Sequence, residues 1–147
     1  DALLEKARAE FGRILKPGGW TALVWNERRL GGTPFLEAYE DLLRRFGTDY
    51  AAVNQRQTDE AIRREFFGGE GPRRAVFDNR QDLDLEGLRG RLLSSSYTPG
   101  PDHPDRAPLL AELERLFRAH QSGGRVRVEY ETTVTYGRLD LGRLKPR

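Results

Sequence analysis

The stretch Arg13-Ile14-Leu15-Lys16-Pro17-Gly18-Gly19-Trp20-Thr21-Ala22-Leu23-Val24-Trp25-Asn26-Glu27-Arg28 decides how the chain is read. Proline lacks the amide that a helix needs, and glycine takes the positive φ that closes a helix end, so Pro17-Gly18-Gly19 is a sharp stop. Trp20 to Trp25 then form a short, nearly unbroken apolar run between turn residues. Such a run predicts a strand over 20–26 buried on both faces, the usual state of a parallel-sheet strand. Asn26, Glu27 and Arg28 follow at the strand's carboxyl end, where open α/β sheets receive ligands.

Upstream, Leu3, Leu4, Ala7, Phe11, Ile14 and Leu15 recur at helical spacing and predict a helix over 1–15 that covers one sheet face. Downstream, Arg28 to Thr33 is a loop, and Thr33-Pro34 is a cap and first-turn pair. Phe35, Tyr39, Leu42, Leu43 and Phe46 give the next helix its apolar face. Residues 47–57 are polar and predicted irregular. A short helix capped by Thr58 or Asp59 runs through Phe67 and ends at Gly68-Gly69. A modest strand is expected around 73–79, and Asp84 can start a helix carrying Leu85, Leu88, Leu92 and Leu93. Ser94 to Pro108 reads as a loop, and Pro104 or Pro108 opens a helix with Leu109, Leu113, Leu116, Phe117 and His120. After Gly123-Gly124, residues 125–136 alternate with period two. Val126, Val128, Tyr130, Thr132, Val134 and Tyr136 share one face, the pattern of a strand with one face more buried than the other. The chain is read as a single domain over 1–147, of α/β class.

Leu15-Lys16-Pro17-Gly18-Gly19 followed by an apolar strand resembles the segment after the fourth strand of class I S-adenosylmethionine-dependent methyltransferases. Phe35-Leu36-Glu37-Ala38-Tyr39-Glu40 and Arg91-Leu92-Leu93-Ser94-Ser95-Ser96-Tyr97-Thr98-Pro99 look like a small-molecule, type 11-like branch of that superfamily. The resemblance covers nearly the whole chain, but only against the second half of the family's domain. It implies a partial Rossmann-like sheet, with 20–26, 73–79 and 125–136 as strands five, six and seven of the order 3-2-1-4-5-7-6. The last strand would lie antiparallel between the other two. It also implies that the N-terminal, cofactor-binding half is missing, an expectation in keeping with the lack of methionine anywhere in the sequence. S-adenosylmethionine and a small-molecule substrate would belong to the full-length parent, with no cofactor bound by this chain alone. Strand five would keep one unpaired edge, expected either to pair symmetrically, making a dimer or higher homo-oligomer, or to be buried under a displaced segment of the chain itself.

Composition narrows the function further. A formal net charge of +2 with basic residues dispersed along the chain is unlike the concentrated basic stripe of a nucleic-acid binder. No run reaches the roughly 20 apolar residues of a membrane span, and no signal peptide opens the sequence, so a cytoplasmic location is expected. Without cysteine there is no thiolate metal site or cysteine nucleophile, and two distant histidines, His103 and His120, make no metal centre. Ser94, Ser95 and Ser96 lack a nucleophile elbow. Gly68-Gly69-Glu70-Gly71 follows a helix and lacks the lysine of a phosphate loop, and Gly18-Gly19 precedes its strand, so neither binds a nucleotide. Gly31-Gly32-Thr33-Pro34 is placed to hold an anion at a helix start, although a plain capped connection is the favoured reading. Catalytic residues are not assigned, because methyl transfer relies on alignment and the sulfonium carries the reactivity. The candidate substrate-binding residues are Asn26, Glu27, Arg28 and Tyr97.

Overall fold

The computed structural model describes residues 2–51 and 60–140. In chain order these form α1 (Ala2–Ile14), β1 (Trp20–Arg28), α2 (Pro34–Phe46), α3 (Glu60–Phe67), β2 (Arg73–Leu83), α4 (Leu85–Leu93), α5 (Arg106–His120) and β3 (Val126–Arg138). The expected cap at Thr58 or Asp59 lies outside the described residues.

Local chemistry sets the boundaries. Gly18 adopts φ +72°, and the Gly19 amide donates back to the Lys16 carbonyl at 2.8 Å, which closes the turn that feeds β1. Thr33 is extended, and its Oγ1 accepts from the Leu36 amide at 3.2 Å, capping α2 ahead of Pro34. Asp84 caps α4 by accepting from the Gly87 amide at 2.8 Å. At the end of α2 the Gly47 amide donates to the Leu43 carbonyl at 2.8 Å.

The three strands form one antiparallel sheet in the order β1-β3-β2, within a mixed α/β architecture. The register of β1 on β3 follows from three contacts. The Arg29 amide donates to the Glu129 carbonyl at 2.9 Å, Thr132 Oγ1 donates to Asn26 Oδ1 at 2.6 Å, and the Arg138 guanidinium lies 5.6 Å from the centre of the Trp20 ring. One number falls as the other rises, as antiparallel pairing requires. The strand formed last in the sequence therefore sits between the other two.

The chain divides into two units. One comprises Asp1–Asn26, Asp59–Phe77 and Thr132–Arg147; the other comprises Glu27–Thr58 and Asp78–Glu131. In the second unit, α2, α4, α5 and the first half of β3 enclose the main core, with Leu36, Tyr39, Leu88, Leu92 and Val128 fully buried. In the first unit, Phe66 and Phe67 meet edge to face at 5.3 Å, and Phe11 meets Phe66 at the same distance. The Arg8 guanidinium donates to the carbonyls of Glu65, Phe66 and Asp140. This satisfies orphan acceptors at the end of α3.

Three expectations need correction. The 20–25 run is not buried on both faces: only Thr21 is buried in β1, while Trp20, Val24 and Trp25 are 53%, 61% and 49% exposed. An edge strand has a single neighbour, and here the apolar run has outgrown its cover. In β3 the buried parity changes: Val126, Val128 and Tyr130 are buried in the second unit, but Thr133, Thr135 and Gly137 are buried in the first. A Cβ on Gly137 would lie 3.3 Å from the Phe67 ring, so the backbone itself packs there. Lastly, α1 buries no residue, and Leu3 and Ile14 are exposed, so its stripe covers less than its spacing implied.

Candidate functional site: a buried arginine, glutamate and tyrosine cluster

At the carboxyl end of β1, Arg28 turns into the second unit and meets Glu40 of α2. The two side chains are only 8% and 6% exposed and lie 2.5 Å apart. Tyr50 completes the contact, donating its hydroxyl proton to Glu40 Oε2 at 2.6 Å and accepting from Arg28 at 2.8 Å. Arg44, one turn along α2, donates from Nε to the other carboxylate oxygen at 3.0 Å. The Arg28 guanidinium also lies 5.1 Å from the centre of the Tyr39 ring. Tyr97 packs edge-on to Tyr50 at 4.9 Å, and its carbonyl accepts from the amide and the hydroxyl of Thr48. Arg91 of α4 lies over Tyr130 of β3 at 5.1 Å, and the Tyr130 hydroxyl donates to Gln81 at 2.7 Å.

Charge states follow from these contacts. Burial alone would raise the Glu40 carboxyl, but hydrogen bonds from Tyr50, Arg28 and Arg44 outweigh it and hold the group below its ordinary value. Burial works against the Arg28 charge, and the Glu40 partner more than restores it, so Arg28 titrates above its ordinary value. Burial pushes Tyr39 up to about 12, against the pull of Arg91 and Arg28. Tyr50 is raised by burial and by its bond to Glu40, and Tyr130 is raised by burial. The shifted groups thus move away from neutrality, the carboxyl downward and the phenols upward. A general acid or base works best with a pKa near the working pH, so this cluster is built to position rather than to move protons. Among the described residues, the Tyr39 hydroxyl and Arg91 Nε are buried without a hydrogen-bond partner, leaving two donors unspent in the same unit.

The structure brings together two of the four residues singled out from the sequence. Arg28 and Tyr97 both contact Tyr50. Glu27 is half-buried, and strand alternation turns it to the face opposite Arg28. Asn26 is exposed, bonded to Thr132, and belongs to the first unit. Sequence reasoning missed Glu40, Tyr50, Arg91 and Tyr130. A signal existed for Glu40, a lone carboxylate at helical spacing between Leu36 and Leu43 on an apolar face.

Two surface depressions lie in the same unit. One of about 380 Å³ is lined by Arg29, Asp78, Asn79, Arg80, Glu129 and Tyr130. Within it Arg29 pairs with Asp78 at 2.6 Å and with Glu129 at 3.9 Å. The other, of about 240 Å³, lies between α2 and α5 and includes Asp41, Arg45, Glu112 and His120. Among the described residues no cluster of acidic or imidazole side chains could hold a metal ion, and no helix is long and apolar enough to cross a membrane. His120 ends α5, its ring set against Phe35 at 6.3 Å. No family model matches the sequence, and no curated protein does.

Proposed function

We propose that this chain is the substrate-side half of a class I, S-adenosylmethionine-dependent methyltransferase domain that acts on a small molecule. The observation that carries the reading is the strand order β1-β3-β2, with the last strand antiparallel between the other two. That order matches strands five, seven and six of the family, and the Leu-Lys-Pro-Gly-Gly turn before β1 supports the same alignment. On this reading the chain supplies alignment, not the cofactor site. The Gly-x-Gly-x-x-Gly turn that would cradle the cofactor does not occur in its sequence. Arg28 is locked by Glu40 and Tyr50 at the carboxyl end of β1, and Arg28 with Tyr97, which packs on Tyr50, are the candidates for substrate contact.

Titration calorimetry with S-adenosylmethionine tests this directly. The chain alone should give no binding heat. A longer product of the same reading frame, extended upstream to include a strand followed by a glycine-rich turn, should bind. Failure of that longer product to bind would overturn the parentage, and tight binding by this chain alone would overturn the division of roles. One observation favours a second reading, a non-enzymatic self-associating module: the edge of β1 is apolar and carries no strand among the described residues.

A further inference from the structure

We infer that β1 pairs edge to edge, antiparallel, with β1 of a second copy of this chain, Val24 lying on the two-fold axis. The inference rests on the self-associating reading, since in a complete methyltransferase domain strand four would take this edge, and its readout is independent of cofactor binding.

The two edges of the sheet are built differently. β2 carries Arg73, Arg74, Asp78, Arg80 and Asp82 along its length, and charges of that kind discourage strand addition. β1 carries no charge from Trp20 to Asn26 and no proline. Its Trp20, Val24 and Trp25 are about half exposed or more. The bond from the Arg29 amide to Glu129 fixes which backbone groups face β3. By alternation, the amides and carbonyls of Ala22 and Val24 point the other way, toward the edge that no strand occupies among the described residues. The pairing that uses the whole strand places its midpoint, Val24, opposite itself. Leu23 then faces Trp25, Ala22 faces Asn26, Thr21 faces Glu27 and Trp20 faces Arg28. No like charges oppose one another, and the apolar residues meet at the centre, so the strand is its own complement.

The sequence has no cysteine, which makes the register testable with single thiols. Residues directly opposite in a hydrogen-bonded antiparallel pair have Cα atoms about 5.5 Å apart, within disulfide reach. Val24→Cys should therefore oxidise to a covalent dimer. In this register the two copies of residue 22 lie four residues apart along the strands, about 13 Å, so Ala22→Cys should not. Val24→Glu and Val24→Lys should each be monomeric by analytical ultracentrifugation, because like charges would meet on the axis, and mixing them should restore the dimer. Restoration also shows that neither variant has lost its fold. A wild-type chain that stays monomeric at all concentrations would overturn the inference. So would Ala22→Cys linking as readily as Val24→Cys, or charge variants whose mixture stays monomeric.

Discussion

Replacing Glu40 with alanine tests the buried cluster most severely. The substitution leaves the Arg28 guanidinium, 8% exposed, without its carboxylate. Removing one partner of a buried ion pair costs about 3–5 kcal/mol, because the remaining charge stays desolvated. Arg28 keeps its bonds to the Tyr50 hydroxyl and the Arg29 carbonyl, which favours the lower end, about 3 kcal/mol. For a chain of this size each kcal/mol moves the thermal midpoint by about 2–4 °C, so the expected drop is roughly 6–12 °C. Arg44→Ala is the control: its side chain is 66% exposed, and its loss should cost at most about 1 kcal/mol. Circular dichroism during urea and thermal unfolding gives both values. The sign with pH is also fixed. Glu40 titrates below its ordinary value of 4.5 in the fold, so its contribution is complete above that value and is lost as pH falls through the depressed folded one. The gap between wild type and Glu40→Ala should accordingly close in acid. A loss no larger than that of Arg44→Ala, or a gap that persists in acid, would refute the cluster's stabilising role.

Further tests probe other parts of the fold. Tyr39, Tyr50 and Tyr130 all titrate above the ordinary 10.0 in the folded chain, so stability should be steady below pH 10 and fall as pH rises through the folded values. Ultraviolet difference titration should show these phenols ionising only with unfolding, and their titration near 10 in a folded chain would contradict their burial. Thr33→Ala removes the cap of α2 and should cost about 1 kcal/mol in urea unfolding, whereas no change would mean that the Leu36 amide finds another acceptor. At Gly47 a Cβ would stand 2.5 Å from the Leu43 carbonyl oxygen and 2.9 Å from the Tyr50 Cβ, so Gly47→Ala should lower the thermal midpoint by displacing Tyr50. A neutral result there would show that the helix end relaxes freely.

Much of this architecture was legible in the sequence because punctuation and periodicity are local. Pro17-Gly18-Gly19, Thr33-Pro34 and Asp84 mark real boundaries, and the three strands appear where period or apolar runs placed them. Burial was less legible, because it depends on what lies across the chain. The Trp20–Trp25 run looks interior from its residues alone, yet β1 has one neighbour among the described residues and its apolar side chains reach the surface. The alternation of 125–136 is regular, but past Glu131 the buried side switches to Thr133 and Thr135, where Gly137 packs its backbone against Phe67. At the site, Arg28 and Tyr97 were picked from position along the chain. Glu40 was not, since its burial depends on Arg28 and Tyr50, which are distant in sequence.

The order of the sheet underlies both the functional reading and the self-pairing register, and one engineered disulfide tests it. Asn26 and Thr132 face each other across β1 and β3, their side chains bonded at 2.6 Å. They form a non-hydrogen-bonded pair, with Cα atoms about 4.5 Å apart in such geometry. A chain carrying Asn26→Cys and Thr132→Cys should oxidise to an intramolecular disulfide and unfold at a higher urea concentration than its reduced form. Two free thiols after oxidation of the folded chain would mean that the last strand does not lie beside β1, and the account would fall with it.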